Sequence, residues 1–343
     1  MNQIDAILDA NSARECAHLI NAIGLDPTDA RARRINSGVW NNTVVEIEIH
    51  DLLFYFKKYH PFEGISQYAP PPISPRNRAR VAQVAQNVAA ACLKPDESGR
   101  SLTPAILAAT PTAFLMAAVI DSTELMTHLR SGLCPTTVVS ELAPALARFH
   151  SARQENSSAE ILARAAEFRN YKLDLQYYSQ SLRLDPTRAE IVRKSADAYR
   201  LKQHALVHGD LNTKNILVAA NGSLGVIDFE QSHLGSPAYD LAFILSELVI
   251  FSRNFPIRKN AELSRDFVDC YLTTINSSDS FEFAVDATIH LAVQILYRFN
   301  GPSAPVWTGY VRRDVVQPTL NAALSLLTID PLPVNQALGS ILP

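Results

Sequence analysis

The sequence predicts an α+β chain in two unequal parts, a small N-terminal part built on antiparallel strands and a larger, mainly helical C-terminal part. Three observations predict it. The chain has 343 residues, more than one ordinary domain holds. The segments VVEIEI (44–49) and LLFYF (52–56) alternate about a turn at His50-Asp51, which is the pattern of paired strands. From about residue 138 onward the chain reads as mostly helical. A hydrophobic content of 47% is enough for a sizeable core.

Taken in order, residues 1–34 read as helical. Ser12 and Glu15 have the spacing of a capping box, and Cys16, Leu19, Ile20 and Ile23 share one face. A turn containing Ser37, Gly38, Asn41 and Asn42 leads into the two strands, which end at Lys57 and Lys58. Strand side chains point alternately to opposite faces, so only one of these lysines can point inward. Residues 60–73 form a proline-rich loop. Ser74-Pro75 then starts a helix to about Leu93, with serine as cap and proline in the first turn. Residues 102–120 fit two more strands. The stretch from Ser101 to Ile120 carries no charge, but Pro104 and Pro111 interrupt it, so no membrane span is expected. Phe114–Ala118 crosses to the second part, which sets the division at 1–117 and 118–343. Helices are expected over 138–150, 157–182 and 186–201, the last capped by Asp185, and again over 242–255, 263–276 and 281–299. A loop with Trp307 and Tyr310 precedes a final helix.

The helical part is interrupted by HGDLNTKNILVAANGSLGVIDF (208–229). Asn221-Gly222 between the apolar runs ILV and GVI signals a hairpin. Such a hairpin brings Asn215 and Asp228 to the same end of the paired strands. An amide and a carboxylate oxygen suit Mg²⁺, which takes one or two carboxylates and completes its shell with substrate phosphates. Asp210 stands beside that pair as a candidate base. An aspartate that orients a hydroxyl, with an asparagine and a second aspartate on metal, is the layout of a phosphoryl-transfer site.

HGDLNTKN resembles the H-G-D-x-x-x-x-N signature of the aminoglycoside phosphotransferase and choline kinase superfamily; protein kinases carry arginine where this chain has Gly209. IDFEQSHLGSPAYDLAF resembles that superfamily's metal-binding segment, with Asp240 as its second acid. The resemblance implies a bilobal protein-kinase-like fold that uses ATP and Mg²⁺. The activity it implies is transfer of the γ-phosphoryl group to a hydroxyl of a small molecule, such as an amino alcohol, a sugar or an aminoglycoside. It makes Asp210 the catalytic residue and Asn215 and Asp228 the metal ligands. Lys57, on the alternation of its strand, becomes the phosphate-pairing lysine, and Ser37 and Gly38 belong to the loop that covers the nucleotide. It also leads one to expect a glutamate on the helix after Ser74, to pair that lysine. No glutamate is there, and Gln83 or Gln86 is the expected substitute. That gap, with the glycine-poor loop, supports a rival reading as a nucleotide-binding pseudokinase that acts as a scaffold. His150, His208 and Asp240 are expected to be structural. Lys214 is either solvated or near the transferred group, and Glu230 is either a substrate contact or exposed.

A net charge of −3 without blocks of like charge points away from nucleic acid. The cysteines, Cys16, Cys92, Cys134 and Cys270, lack metal spacing and suit a reducing compartment. The opening residues lack the features of a signal peptide. A cytoplasmic protein without a membrane partner is expected, and the sequence assigns no oligomeric state.

Overall fold

The computed structural model describes residues 3–35, 42–61, 73–96, 99–152, 158, 161–162, 165–255, 258–275 and 280–342. It opens with α1 (Gln3–Ile7) and α2 (Ala10–Ala22). The cap of α2 is Asp9, which accepts from Asn11 N at 3.0 Å and Ser12 N at 2.9 Å. The capping box expected at Ser12 and Glu15 does not form, because one carboxylate already satisfies two end donors. Ser12 lies inside the helix, and Glu15 turns to Lys58 at 2.9 Å.

The helical reading of residues 1–34 also fails at its end. Arg31–Ile35 is strand β1, paired antiparallel with β2 (Asn42–Ile49). Its arginines face the glutamates of β2, with Arg33 2.8 Å from Glu46 and Arg31 3.7 Å from Glu48. These cross-strand charges select the extended form. β2 joins β3 (Leu52–Tyr59) through His50 and Asp51, whose φ angles of 47° and 65° are the left-handed pair that a two-residue hairpin turn requires. With β4 (Ile106–Ala109) and β5 (Ala113–Ala117) the sheet runs β1-β2-β3-β5-β4. Val45, Ile47, Phe54 and Phe56 pack on α2 through Cys16, Leu19 and Ile20. On the other face Tyr59, Phe114 and Met116 meet Ala79 and Ala82 of α3 (Pro75–Cys92), which Ser74 caps at 3.2 Å from Asn77 N. Alternation along β3 therefore sends Lys58 to the α2 side and Lys57 to the α3 side.

The larger lobe begins with β6 (Ser122–Glu124) and α4 (Leu125–Arg130). A π-turn at Val138–Leu142 leads into α5 (Ala143–Ser151). α6 (Ala166–Leu173) continues through another π-turn to Ser181, and Asp185 caps α7 (Pro186–Leu201). Two small sheets follow. β6 pairs with β8 (Ile216–Ala219), which pairs with β9 (Leu224–Val226), and β7 (Ala205–Val207) pairs with β10 (His233–Gly235). α8 (Ala238–Asn254), buried along almost its whole length, is the axis of the lobe. α9 (Arg258–Ile275), α10 (Ser280–Asn300) and α12 (Arg313–Leu326) pack on it, and α13 (Val334–Ile341) packs on those three. The expected loop at Trp307 is partly helix, α11 (Ala304–Tyr310), with Pro305 in its first turn and Trp307 packed 5.9 Å from Phe251. Among the described residues no helix is long and apolar enough to cross a membrane.

Candidate active site

The site lies where the β8–β9 hairpin meets the loop before it. Ile216 pairs with Val226, and Ile227 N donates to Asn215 O at 2.9 Å. Asn215 and Asp228 therefore sit side by side at one end of the hairpin, as the Asn-Gly turn predicted. Gly222 closes the other end with φ 82°.

The loop 208–215 hangs from Asp240. This fully buried carboxylate accepts from His208 N at 2.6 Å, Gly209 N at 3.0 Å and His150 Nε2 at 3.1 Å. Burial alone would raise its pKa, but the His150 contact and the loop amide outweigh burial and hold it below the usual carboxylate range. His150 is fixed in turn by Tyr271 Oη at 2.7 Å. His208 donates from Nε2 to Ile227 O at 2.9 Å and accepts from Asp210 N at 3.3 Å, so it ties the loop to the segment just before Asp228. Gly209 has φ 78°, and a Cβ there would collide with the Gln231 carbonyl oxygen. That contact explains glycine where protein kinases carry arginine.

Asp210 presents its two oxygens to different neighbours. Oδ2 accepts from Asn212 Nδ2 at 3.2 Å and lies 3.5 Å from Asn215 Nδ2. Oδ1 receives Lys172 Nζ of α6 at 2.7 Å. Asn215 also donates Nδ2 to Asp210 O at 2.9 Å, which leaves its Oδ1 without a hydrogen bond among the described residues. Asp228 adopts φ 73°, uncommon for a residue with a side chain and a form of strain found at functional sites. Its Oδ1 is held by Lys57 Nζ at 2.5 Å, and its side chain is 32% exposed. Among the described residues no cluster of three or more histidine, cysteine or acidic side chains could enclose a metal alone. An open amide oxygen beside one carboxylate fits Mg²⁺ that takes the rest of its shell from phosphates and water.

Lys57 is almost fully buried and reaches Glu230 at 3.5 Å as well as Asp228. Burial works against its charge, but Asp228 and Glu230 overcome it and hold the ammonium protonated, with its pKa above the ordinary lysine value. The substitution expected at Gln83 or Gln86 does not occur. Gln83 donates to Thr110 O at 2.9 Å and Gln86 to Pro104 O at 2.8 Å. Both satisfy backbone carbonyls at the two ends of edge strand β4 instead of approaching the lysine. The acid comes from Glu230, two residues past Asp228, and α3 contributes an arginine. Arg78, with 0% exposure, lies 3.2 Å from Glu230, and Asn42 joins them at 2.8 Å from Arg78 and 3.1 Å from Glu230. The charges therefore alternate Asp228, Lys57, Glu230, Arg78 from the larger lobe to α3.

Sequence reasoning missed Arg78 and Lys172. Arg78 was visible as a cation on a half-buried helix, whereas nothing in the sequence around Lys172 distinguishes it. Ser37 and Gly38 lie outside the described residues. Lys214 is half-buried, 5.8 Å from the ring centre of Tyr310.

The model of the phosphotransferase enzyme family (APH) matches residues 69–277 of this chain. A comparison with curated proteins finds no match. Solved structures of similar fold include choline kinase from Cryptosporidium parvum, at 15% identity over 88% of this chain and 90% of that one, with a TM-score of 0.51. A choline/ethanolamine kinase family protein from Mesorhizobium loti is 14% identical over 97% and 99% of the two chains, with a TM-score of 0.50. ADP-bound aminoglycoside phosphotransferase APH(2'')-Ib is 15% identical over 98% and 100%, also at 0.50. At these identities the likeness shows the fold, an antiparallel small lobe on a mainly helical larger lobe of protein-kinase type.

Proposed function

Because this chain belongs to the phosphotransferase enzyme family, we propose that it moves the γ-phosphoryl group of ATP to a hydroxyl of a small molecule, with Mg²⁺ as cofactor. The observation that carries this reading is the joint placement of Asp210, Asn215 and Asp228 on one hairpin end, with buried Lys57 2.5 Å from Asp228. In our assignment residues 1–117 supply the nucleotide side and 118–343 the acceptor side, in the cytoplasm. Asp210 orients the acceptor hydroxyl and accepts its proton late, since a loose transition state asks for position more than for deprotonation. Asn215 Oδ1 and Asp228 would hold Mg²⁺, which supplies charge neutralisation on the phosphate oxygens. Lys57 would contact the α- and β-phosphates, and Glu230 keeps it charged and aimed. The scaffold alternative rested on a missing helix glutamate and a glycine-poor loop; Glu230 supplies an acid to Lys57, and Ser37 and Gly38 of that loop lie outside the described residues. Family resemblance alone allows an amino alcohol, a sugar or an aminoglycoside-like acceptor.

Two isosteric variants test the assignment. Asp210→Asn should lower turnover by about 10²–10⁴, the usual worth of a general base, while Mg·ATP binding stays intact. Asp228→Asn should instead weaken the Mg²⁺-dependent part of ATP affinity, because a carboxylate ligand of a hard cation is lost. Calorimetric titration with and without Mg²⁺, run beside a turnover assay, separates the two. Full turnover in Asp210→Asn, or ATP binding that ignores Mg²⁺ in the unmodified protein, would overturn the mechanism.

A further inference from the structure

The catalytic carboxylate is not free to attract a cation. Lys172 Nζ sits 2.7 Å from Asp210 Oδ1, and the two side chains are only 9% and 21% exposed. The lysine approaches Oδ1, while Oδ2 is the oxygen that lies toward Asn215. It comes from α6 of the larger lobe, and its ammonium lies 5.5 Å from the ring centre of Phe243 on α8. One turn earlier, Arg169 is buried with its Nε lacking a partner among the described residues, and it donates from Nη1 to Leu234 O at 3.3 Å. From the reactive loop itself comes Lys214, with no carboxylate in ion-pair range among the described residues. Arg130 lies 4.4 Å from the ring centre of Tyr310, the same ring that Lys214 approaches.

The acids of α8 do not offset these cations. Asp240 is engaged by the loop amides and His150, and Glu247 by Arg298 at 2.7 Å and Thr213 N at 2.8 Å. A substrate ammonium entering beside Asp210 would meet the Lys172 charge, and among the described residues neither acid of α8 is left to offset it. A carboxylate or phosphate would find Lys172 at Asp210 and Lys214 four residues along the same loop. Charge complementarity of this kind sets which partner a site accepts and which it repels.

We infer that the acceptor is an alcohol bearing a carboxylate or phosphate group, and that Lys172 and Lys214 receive that anion while Asp210 takes the hydroxyl. The inference rests on the kinase reading of the same site, which Mg·nucleotide binding tests separately. No covalent step is added: the hydroxyl oxygen attacks the γ-phosphorus, the bond to the β-bridging oxygen breaks, and ADP leaves.

The test uses the full chain saturated with Mg²⁺ and a non-hydrolysable ATP analogue. Calorimetry measures binding of four small alcohols: glycerate, glycerol 3-phosphate, glycerol and choline. Glycerate or glycerol 3-phosphate should bind in the millimolar range or better, ahead of glycerol and choline, and the winner of the pair tells carboxylate from phosphate. Lys172→Met should weaken the anion by about 10–100-fold, the worth of a charged hydrogen bond. It should also raise affinity for choline, because Asp210 is left uncompensated. Lys214→Met, on a partly exposed loop position, should weaken the anion too and serves if the buried substitution impairs folding. Choline binding ahead of both anions, or no anion binding at millimolar concentration, overturns the inference. So does a Lys172→Met variant that leaves the order of the four alcohols unchanged, since a lysine acting on the transferred phosphoryl group would affect all acceptors alike. Failure to bind Mg·nucleotide at all would instead overturn the kinase reading.

Discussion

Lys57 and Lys58 are neighbours in sequence with opposite assignments, and the pleat of β3 separates them. Lys57 goes to Asp228 and Glu230 on the cleft side, and Lys58 goes to Glu15 of α2 at 2.9 Å. Each is buried and each is paired, so each substitution should be felt, but in different measurements. If Lys57 is the phosphate-pairing lysine proposed above, Lys57→Ala should reduce Mg·ATP affinity or turnover by at least about tenfold, the worth of a charge-assisted contact. Lys58→Ala should cost roughly 1–3 kcal/mol of stability, by leaving Glu15 without its cation, with turnover near that of the unmodified protein. Chemical denaturation and a coupled ADP assay on both variants check this, and equal losses of turnover would remove the distinction.

On the scale of elements, the loop 208–215 owes its shape to one carboxylate beneath it. Asp240→Asn replaces an acceptor pair with one acceptor and one donor, so one of the His208 and Gly209 amides loses its partner in a site with no exposure. Unmaking such a buried charged contact costs on the order of 3–5 kcal/mol. The expected result is a lower denaturation midpoint together with a fall in turnover, since Asp210 follows Gly209 directly. A variant with an unchanged midpoint would show that the loop holds itself. The sequence was informative where an element's own residues decide its form. The hairpin at Asn221-Gly222, the cap at Ser74 and the turn at His50-Asp51 all follow from local chemistry. It was uninformative where a distant residue decides. Arg31–Ile35 is held as a strand by its pairing with β2, which lies outside the segment itself, and Glu230 finds its role only once α3 delivers Arg78 across 152 positions. Lys172 reaches Asp210 from 38 positions away, with nothing in its own helix to mark it.

For the molecule as a whole, acid should be destabilising well before the carboxylates titrate. His233 and His290 are fully buried, and burial pushes each down to about 4. His233 is set between Gln231 O at 2.9 Å and Tyr199 Oη at 2.8 Å, and His290 against Tyr177. In the unfolded chain both return to about 6.5. Between these values the unfolded state binds more protons, so stability rises with pH and is lost as pH falls from about 6.5 toward 4. Urea midpoints at pH 7.5 and pH 5 should differ by an amount that shrinks in His290→Asn, and a flat profile across that range would contradict it. The alternating charges from Asp228 to Arg78 have a different consequence, for control. Protein kinases switch by swinging a helix whose glutamate must reach the strand lysine. Here the lysine's acid is carried on the same short segment as Asp228. An outward swing of α3 would withdraw Arg78 and leave Lys57, Asp228 and Glu230 together, so the lysine keeps its two acids whatever the position of that helix.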